Sequence, residues 1–212
     1  MQIDLRVMEL LASKLCHDLI SPVSAINNGV ELIEDIGGSV VDEAMKLIGD
    51  SAGHAARRLR LFRMAYGRTG SEENLGIKDA RQVAEQYVAG GKITLHWNDV
   101  SVPEGVVDHR GCLKTLINMV VMAEEILAYG GVVTLHPTTE HDRSGCRMEI
   151  IGRNAQLSPL FEGALNATTA IEELTPRTIQ PYITGRFAAH FGLQIQPSQP
   201  ATDHLDLVLS VA

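Results

Sequence analysis

The 212-residue sequence lacks the features that mark secreted, membrane-spanning or zinc-binding proteins. It has three cysteines, an odd number without a Cys-x-x-Cys pair, which disfavours a disulfide framework or a zinc site. No apolar run approaches the roughly 20 residues that cross a membrane, and the opening MQIDLRVMEL has no basic segment or cleavage site of a signal peptide. A net charge of −8 disfavours binding to nucleic acid or to anionic membranes. We therefore expect a soluble, cytoplasmic protein that binds neither nucleic acid nor membranes.

Two apolar heptad patterns fill the first third of the chain. The first runs through residues 4–35 and ends at Gly37-Gly38, and its main positions lie seven residues apart: Leu5, Ala12, Leu19, Ile26 and Ile33. The second follows at once, from Val41 to Tyr66, in steps of four and three residues. The short connection predicts an antiparallel helical hairpin. Two helices alone cannot bury both apolar stripes, so the pattern favours a four-helix bundle made by two chains over a hairpin that packs on its own chain.

A polar segment from Gly67 to Asn74 separates this hairpin from a region in which helices and strands alternate. The pattern predicts helices over residues 79–89, 107–129 and 175–191 and strands at KITLHW, VVTLH, RMEIIG, LQIQP and LDLVLSV. The predicted fold class is α+β with two domains. Residues 1–68 form the helical hairpin, and residues 76–212 form an α/β sandwich with helices layered on a sheet.

A histidine and a proline stand close together on the first predicted helix, in the run His17-Asp18-Leu19-Ile20-Ser21-Pro22. At 100° per residue His17 lies about 160° from Leu19, on a mostly polar face away from the apolar stripe. Asp18 can orient the imidazole, and Pro22 clashes with the carbonyl of Asp18 and predicts a kink there. The alternatives are a solvated histidine without a role and a proline that a long helix tolerates.

The run resembles the H-box of sensor histidine kinases. In those proteins a phosphate-accepting histidine is followed by Glu or Asp, with proline five residues after the histidine. The H-box lies on the first helix of a dimeric hairpin, ahead of an α/β ATP-binding domain. The resemblance implies that His17 accepts the phosphoryl group. From their places on the helix we expect Asp18 to hold the histidine tautomer, and Lys14, one turn back on the same face, to offset phosphate charge.

The C-terminal region departs from an active kinase at the nucleotide-binding motifs. LINMVVMAEEIL resembles the asparagine-bearing helix, and Asn118 matches one of its positions, but Met122 stands where the metal-binding asparagine belongs. A thioether does not replace an oxygen ligand of Mg²⁺. Gly152-Arg153-Asn154-Ala155 replaces the Asp-x-Gly turn, and ATTAIEELTPRTIQPYI contains no glycine to cradle phosphates. We therefore expect a degenerate ATPase-like domain with no stably bound cofactor and no metal.

This combination resembles the ChpT-type histidine phosphotransferases of alphaproteobacteria over essentially the whole chain. The resemblance implies a homodimer that passes a phosphoryl group, through a phosphohistidine, between receiver domains of a hybrid kinase and of response regulators. It also implies that the receiver supplies Mg²⁺ and that the protein has no ATP-dependent kinase activity. Two alternatives stay open: an active histidine kinase, and a pseudokinase that binds receivers without catalysis.

Two groups of residues are candidates for receiver binding. Ser13, Ile20, Ser21 and Ser24 share the face of His17. His54, Arg57 and Arg58 lie on the second helix, where a basic stretch can steer an acidic receiver or form an ordinary solvated face. His54 is also the next candidate phosphate acceptor after His17. The histidines show no spacing typical of a metal site.

Overall fold

A computed structural model describes residues 4–67, 76–140 and 143–212. The chain opens with helix α1, Leu5–Asp35, and helix α2, Val41–Tyr66, joined by a short 3-10 turn, Gly38–Val40. Gly37, at φ 59°, ends α1 in a conformation that glycine adopts without steric cost. The predicted helical hairpin is confirmed.

Helix α1 continues without a break through Pro22, whose side chain is buried. Further along, α1 approaches α2 closely at Gly29, where an added Cβ would lie only 2.7 Å from Cγ1 of Ile48. Gly29 interrupts the heptad pattern, and the structure gives the reason: only glycine leaves room for the α2 side chains at this crossing.

The C-terminal region is a five-stranded mixed sheet covered by helices. Its helices are α3 Ile77–Val88, α4 Glu104–Val107, α5 Cys112–Ile126, α6 Pro159–Leu165 and α7 Ile179–His190. Its strands are β1 Ile93–His96, β2 Gly131–Glu140, β3 Arg143–Ile151, β4 Leu193–Ala201 and β5 His204–Val211. The strand order is β1-β2-β3-β5-β4; β1 pairs parallel with β2, and the other neighbours are antiparallel. The α+β fold class and all five predicted strands are confirmed.

Two predicted helices have wrong boundaries. The helix expected over residues 107–129 is divided, because the chain turns at Gly111 with φ 80° before α5 begins. An added Cβ at Gly111 would meet the Phe191 ring at 2.1 Å, so this turn needs glycine. The last helix starts at Ile179 rather than Thr175, and α6 was not predicted.

The main core surrounds α5, on which ten residues are buried. The C-terminal half of α2 packs into this core through Leu61, Phe62 and Ala65. The start of α1 packs against a second cluster around α6 and α7 through Val7, Leu10 and Leu11. The open end of the hairpin, formed by the start of α1 and the end of α2, thus packs on its own chain. Such packing is the alternative to a bundle made by two chains. The boundary between predicted domains 1–68 and 76–212 stays a prediction, because residues 68–75 lie outside the described ones.

Large apolar side chains elsewhere on the hairpin are exposed in the single chain; they include Leu5, Met8, Val23, Val30, Ile36, Met45 and Leu59. None of the helices in the described ranges combines the length and the apolar character needed to cross a membrane.

Candidate functional site

His17 stands on the outer face of α1, with 87% of its side chain exposed. The residues that share its face are exposed as well, and Ile20 retains 62% of its surface. The others on this face are Ser13, Ser21 and Ser24. His17 is therefore open to a partner, and an apolar side chain stands within one helical turn of it.

Asp18 lies beside His17 but turns towards the body of the protein, with 18% of its side chain exposed. Its Oδ2 is 3.6 Å from Nζ of Lys14 and 3.5 Å from Nη1 of Arg58. Its Oδ1 faces Nδ1 of His17 at 3.6 Å, beyond hydrogen-bonding distance. The two oxygens of Asp18 thus have different neighbours: one meets two cations and the other meets the imidazole.

Lys14 turns inwards, although its place on the helix predicts a side chain that is exposed beside His17. Only 11% of its side chain is exposed, and its ammonium group donates to Oε1 of Glu125 on α5. Burial raises the pKa of Glu125, and the charge and hydrogen bond of Lys14 oppose that shift. The charge of Lys14 is therefore shared between Glu125 and Asp18 in this conformation and is not directed at a phosphoryl group on His17.

Arg58 likewise makes its contacts within the protein and does not lie on a solvated face. Its guanidinium contacts Glu124 of α5 at 3.3 Å and donates to the hydroxyl of Tyr87 at 3.3 Å. Tyr87 in turn donates to Glu124. Burial lowers the pKa of Arg58, but Tyr87, Glu124 and Asp18 outweigh that effect and raise it. Glu124 and Asp18 thus stabilise the charge of this partly buried guanidinium.

His54 and Arg57 lie beside Arg58 on α2. His54 accepts a hydrogen bond from Nε of Arg58 at Nε2, at 3.1 Å. Burial lowers the pKa of His54, and the charges of Arg58 and Arg57 lower it further. Arg57 is half-buried, and its Nε has no hydrogen-bond partner among the described residues. Both side chains line an open cleft of about 770 Å³ between α2 and the C-terminal region. One ring nitrogen of His54 is thus already occupied, whereas His17 is open to solvent.

The sequence analysis did not identify Glu124, Glu125 and Tyr87 as site residues. These three side chains of the C-terminal region bind Lys14 and Arg58, the two cations beside Asp18. Lys14 and Glu125 are 111 positions apart, and no spacing rule joins them. The only signal is the Glu-Glu pair near the end of α5, a helix that is otherwise almost wholly buried. Charged residues at the edge of a buried helix indicate ionic partners on a neighbouring element.

Asn118, the residue that matches the kinase motif, is fully buried and saturated with hydrogen bonds. Its amide donates to the carbonyls of Ala65 at 3.0 Å and Lys114 at 2.9 Å. Gln180 of α7 donates to its side-chain oxygen at 3.2 Å and accepts from the hydroxyl of Tyr66 at 2.6 Å. These bonds join α2, α5 and α7, so the amide of Asn118 holds the hairpin against the C-terminal region.

Met122 is fully buried in the main core. It lies one turn along α5 from Asn118, at the position where an active kinase has its metal-binding asparagine. The side chain therefore contributes apolar packing here.

Among the described residues, Glu149, His204 and Asp206 form a group whose ligand atoms lie within 4.8 Å of one another. Arg147 already contacts this group, at 3.4 Å from Glu149 and 3.2 Å from Asp206. A guanidinium between the two carboxylates supplies the positive charge that a metal ion would bring. We assign the group as an ion-pair network on the sheet.

Comparisons with known proteins identify the family of the chain. The family profile of the histidine phosphotransferase C-terminal domain matches residues 77–203. Protein phosphotransferase ChpT of Brucella abortus (strain 2308) is 32% identical over 197 residues, which is 92% of this chain and 90% of that protein. A solved structure described as a bacterial phosphotransferase superposes with a TM-score of 0.78 at 28% identity, covering 99% of this chain and 98% of that one. The chain belongs to the histidine phosphotransferase family.

Proposed function

We propose that the protein passes a phosphoryl group between the aspartates of receiver domains through a phosphohistidine on His17. The observation that carries this proposal is the exposed imidazole of His17 beside the clamped carboxylate of Asp18. Membership of the histidine phosphotransferase family, and the similarity to a protein phosphotransferase, support it. The kinase alternative has no such observation in its favour.

The transfer needs little more than an open, oriented imidazole. A ring nitrogen of His17 attacks phosphorus, the N–P bond forms, and the bond to the receiver aspartate breaks with its electron pair left on the carboxylate. Phosphoryl transfer depends mainly on positioning and charge stabilisation. We propose that the receiver brings the Mg²⁺, and that Ile20 and the exposed serines around His17 contact it. Arg57, at the cleft, is a second contact that could meet an acidic receiver.

We propose that the C-terminal region holds no nucleotide. The amide of Asn118 is engaged by protein carbonyls, and Met122 is packed in the core, so neither side chain is available to a nucleotide or its metal. Titration calorimetry should give no binding isotherm with Mg-ATP. A micromolar dissociation constant would restore the kinase alternative.

We propose that the protein works as a homodimer in the cytoplasm. The exposed apolar residues Val23 and Val30 lie about 120–140° round α1 from His17, so pairing through them leaves His17 open. Met45 and Leu59 are exposed on one side of α2 and extend the apolar surface. The cysteines are unpaired, which suits a reducing compartment.

The dimer can be tested with charges on this exposed face. We expect Val30→Glu combined with Leu59→Glu to give monomers, because the interface would bury unpaired charges. Leu19 and Ile48 are poorer targets because both are partly covered within the single chain. Light scattering that shows a monomeric wild type at micromolar concentration would contradict the proposal.

The phosphate acceptor can be tested with a receiver domain charged with radiolabelled acetyl phosphate. We expect His17→Ala to accept no acid-labile, base-stable label, while circular dichroism shows a folded protein, because the side chain faces solvent. His96→Ala, a change at another exposed histidine, is the matched control and should accept label as the wild type does. Label that persists in His17→Ala would assign the acceptor to another histidine, first of all His54. A wild type that binds the receiver but takes no label would favour the pseudokinase alternative.

A further inference from the structure

Two adjacent glutamates of the C-terminal region pair with cations of the helical hairpin without touching His17. Glu125 accepts from Lys14 on α1, and Glu124 pairs with Arg58 on α2. Glu124 also accepts a hydrogen bond from the buried hydroxyl of Tyr87, so its carboxylate has partners on two elements. The last turn of α5 therefore forms ion pairs with both helices of the hairpin, beside Asp18.

The two cations that these glutamates bind also lie close to one and the same oxygen atom. Lys14 and Arg58 approach Oδ2 of Asp18 from two helices, at 3.6 Å and 3.5 Å. With Oδ2 held from both sides, rotation of the carboxylate is restricted, and Oδ1 is left facing Nδ1 of His17. A small approach of Oδ1 to this nitrogen, from the present 3.6 Å, makes a hydrogen bond.

The glutamates also set the charge of this cluster. Without them, two cations would surround one carboxylate and offset its attraction for the imidazole N–H. With Glu124 and Glu125 present, each cation is shared between Asp18 and a glutamate. The two cations therefore offset less of the field that the Asp18 carboxylate exerts on His17.

We infer that Glu124 and Glu125 are positioning residues for phosphotransfer, which act through Arg58 and Lys14 to aim Oδ1 of Asp18 at Nδ1 of His17. The inference rests on the proposed function of His17 as acceptor. During attack the ring becomes cationic, the Nδ1–H donates to Asp18, and the other ring nitrogen supplies the electron pair that bonds phosphorus. The ATPase-like domain thereby contributes to the transfer without binding a nucleotide.

The rival explanation is that the glutamates only fasten the two parts of the chain together. The chain offers a control for this, because Tyr66 donates to Gln180 at 2.6 Å across the same boundary. Tyr66 lies near enough to Glu125 and Asp18 for their charges to raise its pKa, but among the described residues it forms no hydrogen bond with them, with Lys14 or with Arg58. Tyr66→Phe removes a fastening bond and leaves the ion pairs around Asp18 intact. Loss of packing alone would make this variant behave as the glutamate variants do.

The test is single-turnover transfer from a labelled receiver to the full-length chain. We expect Glu125→Gln and Glu124→Gln each to lower the rate at saturating receiver by about tenfold, with the half-saturating receiver concentration within about twofold of wild type. Tyr66→Phe should retain the wild-type rate. If one glutamate variant does not fold, the other tests the same claim through the other cation.

A spectroscopic measurement separates positioning from fastening. Nitrogen-15 NMR of the His17 ring should show mainly the tautomer protonated on Nδ1 in the wild type and in Tyr66→Phe, and a mixture of tautomers in both glutamate variants. Wild-type rates and spectra in both glutamate variants would overturn the inference and leave His17 as acceptor untouched. Equal losses in Tyr66→Phe and the glutamate variants would overturn it too, as a fastening effect. Failure of the proposed function is distinct, because His17→Ala would then still accept label.

Discussion

At the scale of single residues, the surroundings of the two histidines on the hairpin determine their different properties. His17 is exposed, whereas His54 is half-buried and accepts a hydrogen bond from Arg58. Burial and two neighbouring arginines disfavour the protonated form of His54. His54 is therefore suited to a neutral structural role on α2.

The lowered pKa of His54 predicts that the stability of the protein depends on pH. The pKa of His54 is lowered below 6.5 in the folded protein, so below pH 6.5 the unfolded chain binds a proton that the folded chain refuses. The free energy of unfolding should fall as the pH drops below that value, and His54→Gln should remove this part of the slope. Urea unfolding of both proteins between about pH 5 and about pH 7.5 measures the difference. Parallel curves for the two proteins would contradict the prediction.

The sequence identifies the members of the site that lie close together and misses those that are brought together by folding. His17 and Asp18 follow from the local motif, and the exposure of His17 follows from helical periodicity. The inward turn of Lys14 depends on Glu125, which only the tertiary fold brings near. A charged residue on a helix surface can pair with its own helix, another element or solvent, and periodicity does not distinguish among them.

At the scale of elements, the hairpin depends on a close approach of α1 and α2 at Gly29. Gly29→Ala should lower the free energy of unfolding by about 1–2 kcal/mol, because the new Cβ would sit 2.7 Å from Ile48. Gly49→Ala is the matched control on α2: nothing lies within 4 Å of its Cβ position, so the change should raise stability by roughly 0.5–1 kcal/mol. Chemical denaturation measures both, and equal shifts would show that the crossing is not tight.

The elements themselves were largely predictable, because their apolar periods are regular and glycine marks many of their ends. One of the errors has a clear physical cause. Gly111 divides a long apolar pattern, and the Phe191 ring leaves room only for glycine at this position. Phe191 lies 80 positions further along the chain. Local patterns do not contain such a contact.

At the scale of the whole molecule, buried amides hold the hairpin and the C-terminal region together. Asn118→Ala would leave the carbonyl of Ala65 and the amide of Gln180 without these partners in a fully buried place. We expect the free energy of unfolding to fall by about 1–3 kcal/mol. Asn28→Ala, on the exposed face of α1, should stay within about 0.5 kcal/mol of wild type. A similar loss in both variants would contradict a special role for Asn118.

The three unpaired cysteines make the protein convenient for optical work. Burial raises the pKa of Cys112 and Cys146 to about 12, so these thiols stay protonated and covered near neutral pH, whereas Cys16 is exposed. A maleimide dye should therefore attach once per chain without any mutagenesis, and intact mass spectrometry counts the adducts. Because the dye would stand next to His17, its fluorescence anisotropy should rise when a receiver docks, and the partners of the phosphorelay could be screened in a plate reader.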